Sequence, residues 1–407
     1  MPEPEHCSDQ QPTQNPEEAS PRSIPARMGD ISPFATHPSS APIYQTTAFD
    51  VPDFETLNQI YRGEAPGYIY TRDSNPNHSA LADSIAELEV AEAGAVFASG
   101  MGAIAAVALT LAESGGHVIV GRSLYGISMK LMERLERKFK VEITWVDVCD
   151  VKSVKAACRS NTKFCIIESI SNPLLEVADI AGISEALGDV PLVVDNTFTT
   201  PMLMRPLQHG ATLVVHSASK YLNGHGDVML GVAAGHLQTM KSIRSTSSLF
   251  GQNANPFESW LTQRGLKTLP LRMKHICETT NQLAEFLNGH PAVSRTNHPS
   301  LRSHPTHQIA SELYPNGCGG IISFELTGTG KERCNALIKA CPSIPFSPTL
   351  ADARTTFSHP ASTSHAYMKP TARRAIGIQD ELIRLSVGLE PFDVLRADLD
   401  AALNSLK

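Results

Sequence analysis

Val214-Val215-His216-Ser217-Ala218-Ser219-Lys220-Tyr221-Leu222-Asn223-Gly224-His225-Gly226-Asp227 decides the fold. The apolar run Leu213 to Val215 predicts a short buried strand. It empties into two hydroxyls, a lysine and a glycine-rich turn. A lysine at the end of a buried strand is costly unless it is used, because the ammonium is almost never buried unpaired. A partly dry amine has a lowered pKa and can attack a carbonyl carbon to form a Schiff base. Ser217 and Ser219 stand where hydroxyls can hold phosphate oxygens.

One strand earlier, Pro191-Leu192-Val193-Val194-Asp195-Asn196-Thr197 is another apolar run, ending in Asp195. Open α/β sheets place ligand-contacting groups at the carboxyl ends of parallel strands. An amine, two hydroxyls and a carboxylate in this order point to pyridoxal 5'-phosphate. Its aldehyde needs the lysine, and its ring nitrogen needs an acid that keeps it protonated.

Outward from these two strands the pattern alternates. Ala95 to Ala98, His117 to Val120 and Phe164 to Glu168 read as further strands, and Asn77 to Ala91, Ala103 to Ala112 and Val151 to Ala157 as helices. The alternation predicts an α/β fold with a mostly parallel central sheet covered by helices. A long helix is expected from near Pro256 through Leu266 toward Leu287. It leads to a smaller C-terminal α/β domain with strands at Gly320 to Leu326 and Leu382 to Val387. Ser99-Gly100-Met101-Gly102 is a glycine-rich turn opening a helix, and such a turn offers free N–H groups to an anion.

The segment Ser217 to His225 resembles the cofactor-lysine signature of the Cys/Met-metabolism (trans-sulfuration) family of pyridoxal-phosphate enzymes, and the resemblance runs from about Ala41 to the C-terminus. It implies the fold type I architecture, with a disordered tail at 1–35, an arm at 36–76 that reaches a partner subunit, a cofactor domain at 77–267 and a C-terminal domain at 268–407. It also implies that Lys220 carries the cofactor and moves protons, and that Asp195 pairs with the ring nitrogen. The amides of Gly100 and Met101, with Ser217 and Ser219, hold the phosphate. Tyr125 stacks on the ring and protonates the departing group, and Asn172 binds the ring hydroxyl. Tyr70 and Arg72 cross to the partner's phosphate, so the enzyme is a homodimer at least, or a homotetramer. Arg384 binds the substrate α-carboxylate, with Thr349 beside it. Arg384 carries that expectation on its own chemistry too: it interrupts the apolar run Leu382 to Val387, where an unpaired guanidinium would be expensive and a carboxylate would satisfy it.

Composition narrows the alternatives. At 407 residues, 42% hydrophobic and 18% charged, the chain can bury a large core in more than one domain. A net charge of -7 without a basic block argues against nucleic acid. No apolar run approaches the ~20 residues that span a bilayer. The eight cysteines are scattered with no CxxC pair, which reads as a reduced, cytoplasmic protein, although an even count allows disulfides. His216, His225, His359 and His365 lack tight ligand spacing, and no metal is expected.

The resemblance implies a gamma-synthase or a carbon–sulfur lyase. The expected reaction is gamma-replacement on an activated homoserine, O-acetyl-L-homoserine foremost, by a small sulfur, carbon or nitrogen nucleophile. The alternative is a cystathionine or methionine gamma- or beta-lyase, and a catalytically silent cofactor-binding scaffold is the reading of another class. Three positions depart from common family patterns. Ile127 stands where methionine-cleaving members carry Cys, Pro348 where cystathionine-handling members carry Glu, and Ala351-Asp352-Ala353-Arg354 where Gly-Gly-x-Glu is usual. These departures favour replacement with an altered nucleophile pocket.

Overall fold

The computed structural model describes residues 38–406, so the predicted tail at 1–35 and Cys7 lie outside the described residues. Seven strands form the large sheet: β1 (Ala93–Phe97), β2 (His117–Gly121), β3 (Glu142–Val146), β4 (Thr162–Glu168), β5 (Leu192–Asp195), β6 (Leu213–Ser217) and β7 (Gly231–Gly235). Their order is β1-β7-β6-β5-β4-β2-β3, and β7 alone runs against the others. The smaller sheet holds β8 (Val293–Asn297), β9 (Ile321–Leu326), β10 (Thr356–Ser358) and β11 (Leu382–Ser386), in the order β10-β11-β9-β8, with antiparallel neighbours throughout.

The central strands are buried on both faces, which is why they read as unbroken apolar runs. Alternate residues serve different cores. Val193 of β5 joins one cluster with Phe164, Ile166, Leu213 and Val215, while Leu192 and Val194 join the other with Cys165, Ile167 and Val214. A third cluster, including Leu283, Phe324, Phe357 and Ile383, packs the small sheet against its helices.

Capping chemistry sets several helix starts. Asn75 accepts the N–H of Asn77, with Pro76 opening the helix Pro76–Glu89. The helix predicted from Ala103 begins earlier, at Gly100, because the Ser99 hydroxyl accepts the N–H of Gly102 at 3.0 Å and caps it. The single long helix predicted from Pro256 is two helices, Pro256–Leu266 and Leu269–Asn288. Pro270 sits in the first turn of the second, where its missing N–H costs nothing but prevents continuation from the first. The arm has one helix that its sequence did not announce, Phe54–Arg62, capped by Asp53 and Gly63 and burying none of its residues. Asn77 ties the arm down: its amide donates to the Pro42 carbonyl at 2.8 Å and accepts the N–H of Tyr44 at 2.8 Å. The seven described cysteines are free. No described helix is long and apolar enough to cross a membrane.

Candidate active site

The carboxyl ends of β1, β2, β4, β5 and β6 open onto one cavity of about 940 Å³. It brings together Gly100, Met101, Tyr125, Asn172, Asp195, Ser217, Ser219, Lys220 and Arg384. Thr349 reaches the same place, because Lys220 Nζ donates to its Oγ1 at 3.2 Å.

Lys220 follows β6 in a turn whose path is set by backbone bonds, Lys220 N–H to Ser217 O at 3.1 Å and Gly224 N–H to Lys220 O at 2.7 Å. Burial pushes the amine below its ordinary pKa, Arg384 adds to this, and Asp352 opposes both. That favours the neutral, nucleophilic form.

Asp195 is buried at the end of β5, with Oδ1 accepting the N–H of Thr197 at 3.1 Å and its hydroxyl at 2.5 Å. Burial pushes its pKa up against the pull of Thr197 and His216. No hydrogen bond among the described residues uses Oδ2. A protonated ring nitrogen would supply a counter-charge, so the carboxylate fits one. His216 lies behind it in a fully buried pair with Glu89, Nε2 to Oε1 at 2.7 Å. It is thus a core residue.

The phosphate end is a close approach of two backbones. A Cβ on Gly100 would meet Ser217 Cβ at 2.8 Å and its Cα at 3.0 Å, so only glycine lets the helix start lie against β6. The N–H groups of Gly100 and Met101 take no partner among the described residues. With the Ser217 hydroxyl they would suit phosphate oxygens. Ser219 is less free, since its Oγ accepts the Leu230 N–H at 2.8 Å and approaches the Leu230 carbonyl at 3.3 Å.

Arg384 is buried in β11, with Nη1 donating to Asn172 Oδ1 at 3.1 Å and Nη2 to the Thr349 carbonyl at 2.9 Å. Its Nε has no partner. Burial lowers it to about 10, still a cation at neutral pH. A buried cation held only by neutral acceptors would suit a carboxylate. Asn172 Nδ2 takes no partner among the described residues and would suit a ring oxygen. The residues present therefore fit pyridoxal phosphate at both its ends.

Among the cavity's other lining residues, Glu168, Thr197, Lys130 and Tyr367 are polar side chains that the sequence did not single out. Glu168 ends β4 beside Asp195 in register, and its Oε1 accepts the Tyr125 N–H at 2.8 Å. It carries the same signal as Asp195, an acid closing an apolar strand. Lys130 and Tyr367 come from distant segments with no pattern to link them. Lys130 Nζ stands 4.0 Å over the Tyr367 ring.

Tyr70 and Arg72 are not brought into this cavity. Arg72 lies 5.2 Å over the Tyr70 ring and 3.7 Å from Asp73, lining a separate cleft of about 140 Å³ with Arg244.

Comparison with known proteins shows the family and the fold. The family described as Cys/Met metabolism PLP-dependent enzyme matches residues 25–404. The chain is 40% identical over 349 residues to an O-succinylhomoserine sulfhydrylase of Pseudomonas aeruginosa, covering 85% of this chain and 86% of that protein. It is 38% identical over 370 residues to an L-methionine gamma-lyase of Fusobacterium nucleatum, covering 90% and 93%. Cystathionine gamma synthase from Xanthomonas oryzae pv. oryzae, solved with aminoacrylate and cysteine, superposes with a TM-score of 0.89 at 33% identity, over 96% of this chain and 99% of that one.

Proposed function

We propose, from the premise that the chain belongs to the Cys/Met-metabolism family of pyridoxal-phosphate-dependent enzymes, that it carries out gamma-replacement on an activated homoserine, O-acetyl-L-homoserine foremost. The single observation that carries this reading is the bridge through Thr349: its hydroxyl meets Lys220 and its carbonyl meets Arg384. The amine that moves protons and the cation that holds an amino-acid carboxylate are thereby set on the two sides of one residue.

The bound cofactor acts as an electron sink for negative charge at the substrate carbons. Gly100, Met101 and Ser217 hold its phosphate, Asp195 its ring nitrogen and Asn172 its ring hydroxyl. Arg384 fixes the substrate α-carboxylate and so decides which carbon faces Lys220. Lys220 takes the α-proton at Nζ, hands that proton on, and only then, neutral again, takes a β-proton, each time as a partly desolvated base. Tyr125 opens the helix Gly126–Phe139 at the cavity mouth and gives its phenolic proton to the leaving group at the gamma carbon. The new nucleophile, a small sulfur, carbon or nitrogen compound, then adds there. Tyr70 and Arg72 extend to the partner's phosphate, which makes the working unit a homodimer or a homotetramer. The cytoplasm is the proposed location.

Ile127 at the mouth supports replacement over methionine cleavage. The similarity to methionine gamma-lyases supports the second reading, gamma- or beta-elimination from methionine or cystathionine. Incubation of the holoenzyme with O-acetyl-L-homoserine and a panel of thiols, carbon acids and amines, followed by mass spectrometry, tests both. The proposal expects a gamma-substituted amino acid with at least one nucleophile and 2-oxobutanoate without any. Consumption of methionine or cystathionine while the acyl-homoserine survives overturns it in favour of the second reading.

A further inference from the structure

Two partly exposed phenols line the cavity, and they come from distant segments. Tyr125 precedes the helix Gly126–Phe139, and Tyr367 follows the short helical turn Pro360–Ser362. The Tyr367 ring is laid against the residue next to Tyr125. A Cβ added to Gly126 would stand 2.5 Å from Tyr367 Oη, 2.9 Å from its Cε1 and 3.0 Å from its Cζ. Glycine at 126 thus lets the second phenol approach the turn that carries the first. Lys130, one turn along the same helix, places Nζ 4.0 Å over the ring, and the His365 ring lies nearly parallel to it, at 19° and 6.5 Å. These contacts fix the ring, and none of them uses its hydroxyl. Tyr367 Oη has no hydrogen-bond partner among the described residues. The hydroxyls just before it are engaged: Ser362 Oγ with His359 Nδ1 at 2.7 Å, Thr363 Oγ1 donating to the His359 carbonyl at 2.9 Å, and Ser364 Oγ with His365 Nδ1 at 2.9 Å. Burial raises the Tyr367 pKa, and Glu133 and Tyr125 add to this, so the phenol keeps its proton at neutral pH.

We propose that Tyr367 recognises the acyl group of the activated homoserine, its O–H donating to the acyl carbonyl oxygen. The inference rests on the acyl-homoserine reading proposed above. An ester on the gamma carbon presents two oxygens at the cavity's two phenols. When the Cγ–O bond breaks, its electron pair leaves with the acyl group. The pair left on the beta carbon by the departed β-proton closes the Cβ–Cγ double bond. Negative charge grows on both oxygens of the departing carboxylate. Tyr125 gives its proton to one, and Tyr367 hydrogen-bonds the other and keeps its own. A fixed donor facing an oxygen whose charge grows stabilises the transition state more than the ground state. A thioether leaving group has no carbonyl to use this donor, so Tyr367 favours acyl-homoserines over thioethers.

The test measures kcat/KM of the unaltered holoenzyme and of Tyr367→Phe, with methanethiol as the common nucleophile. The substrates are O-acetyl-L-homoserine and 2-amino-4-chlorobutanoate, whose chloride leaves without a carbonyl. Tyr367→Phe keeps the ring between Gly126 and Lys130 and removes only the donor. The acyl substrate is expected to lose about two- to tenfold, in kcat more than in KM, while the chloro substrate is little changed. Equal losses on both substrates, or none on either, overturn the proposal. So does loss of the cofactor or of the fold, which would make Tyr367 a structural residue. If the chloro substrate does not react, the dissociation constant of L-norleucine, read by absorbance, takes its place as the reference: unmoved, it supports the proposal, and weakened as much as the acyl substrate's kcat/KM, it overturns it. Acyl-homoserine turned over by the unaltered enzyme with no selective loss in the variant sinks only the role of Tyr367. Acyl-homoserine left untouched by the unaltered enzyme sinks the acyl-homoserine reading and this inference together.

Discussion

The N–H of Tyr125 donates to Glu168 Oε1 at 2.8 Å, so the turn that presents the phenol is fastened to the end of β4. Tyr125 follows β2, and β2 pairs with β4, so the bond closes a short loop between neighbouring strands beside the cavity. Glu168 Oε2 is buried without a partner.

Glu168→Gln keeps the acceptor and should leave kcat within a few-fold, whereas Glu168→Ala frees the Tyr125 turn. Loss of that bond is expected to cost about 0.5–1.5 kcal/mol of stability, read by thermal or denaturant unfolding. The pH dependence has a definite sign. Burial, with Asp195 adding to it, raises the Glu168 pKa well above 4.5 in the folded state. The stability it contributes is complete below 4.5 and is lost as pH rises through the folded value. Glu168→Gln should therefore gain stability relative to the unaltered protein as pH rises above 4.5. A constant difference across pH would contradict the assignment.

Gly100→Ala places a Cβ 2.8 Å from Ser217 Cβ. Either the helix start or β6 must move, and the phosphate cradle opens. The expected result is about a tenfold or larger rise in the cofactor dissociation constant, equivalent to roughly 1.4 kcal/mol, measured by absorbance titration of the apoenzyme. Unchanged cofactor affinity would show that the phosphate is held elsewhere.

Arg384→Ala removes the receptor for the substrate carboxylate. A charge-assisted hydrogen bond is worth about 1.5–3 kcal/mol, so kcat/KM should fall by about tenfold to more than a hundredfold through KM, with the cofactor still bound. Loss of cofactor instead would mean that Arg384 serves the cofactor and not the substrate.

Tyr125→Phe keeps the stacking ring and removes the acid. Losing a general acid is expected to lower kcat by about 10²–10⁴ for substrates with poor leaving groups, and by less for good ones. Steady-state kinetics over a series of gamma-substituted homoserines reads this. Equal losses across the series would contradict proton donation at the gamma position.

Arg72 lies outside the cavity of its own chain, so its test needs two chains. Lys220→Ala and Arg72→Ala homo-oligomers should each be inactive. Mixed oligomers recover activity if Arg72 serves the partner's site, because one composite site then carries both native residues. No recovery after subunit exchange would show that Arg72 acts within its own chain or only in folding.

By itself the sequence determined the layered sheet and the chemistry at its strand ends. Val193 and Val194 point to opposite cores, so β5 had to be an unbroken apolar run, and the polar residue that ends it, Asp195, stood out against that background. Lys220 was legible for the same reason. Both signals are local, set by burial along a few consecutive residues. Only the tertiary structure decided which distant side chains share the site. Lys130 over Tyr367 and Thr349 beside Lys220 join segments more than a hundred residues apart. No periodicity in the chain encodes such meetings, because they are made by packing between elements and not by the geometry of any one of them. The break at Lys267-Thr268 is the intermediate case. The stretch from Pro256 toward Leu287 was expected as one long helix, and the three-dimensional path separated it into two, with Pro270 in the first turn of the second.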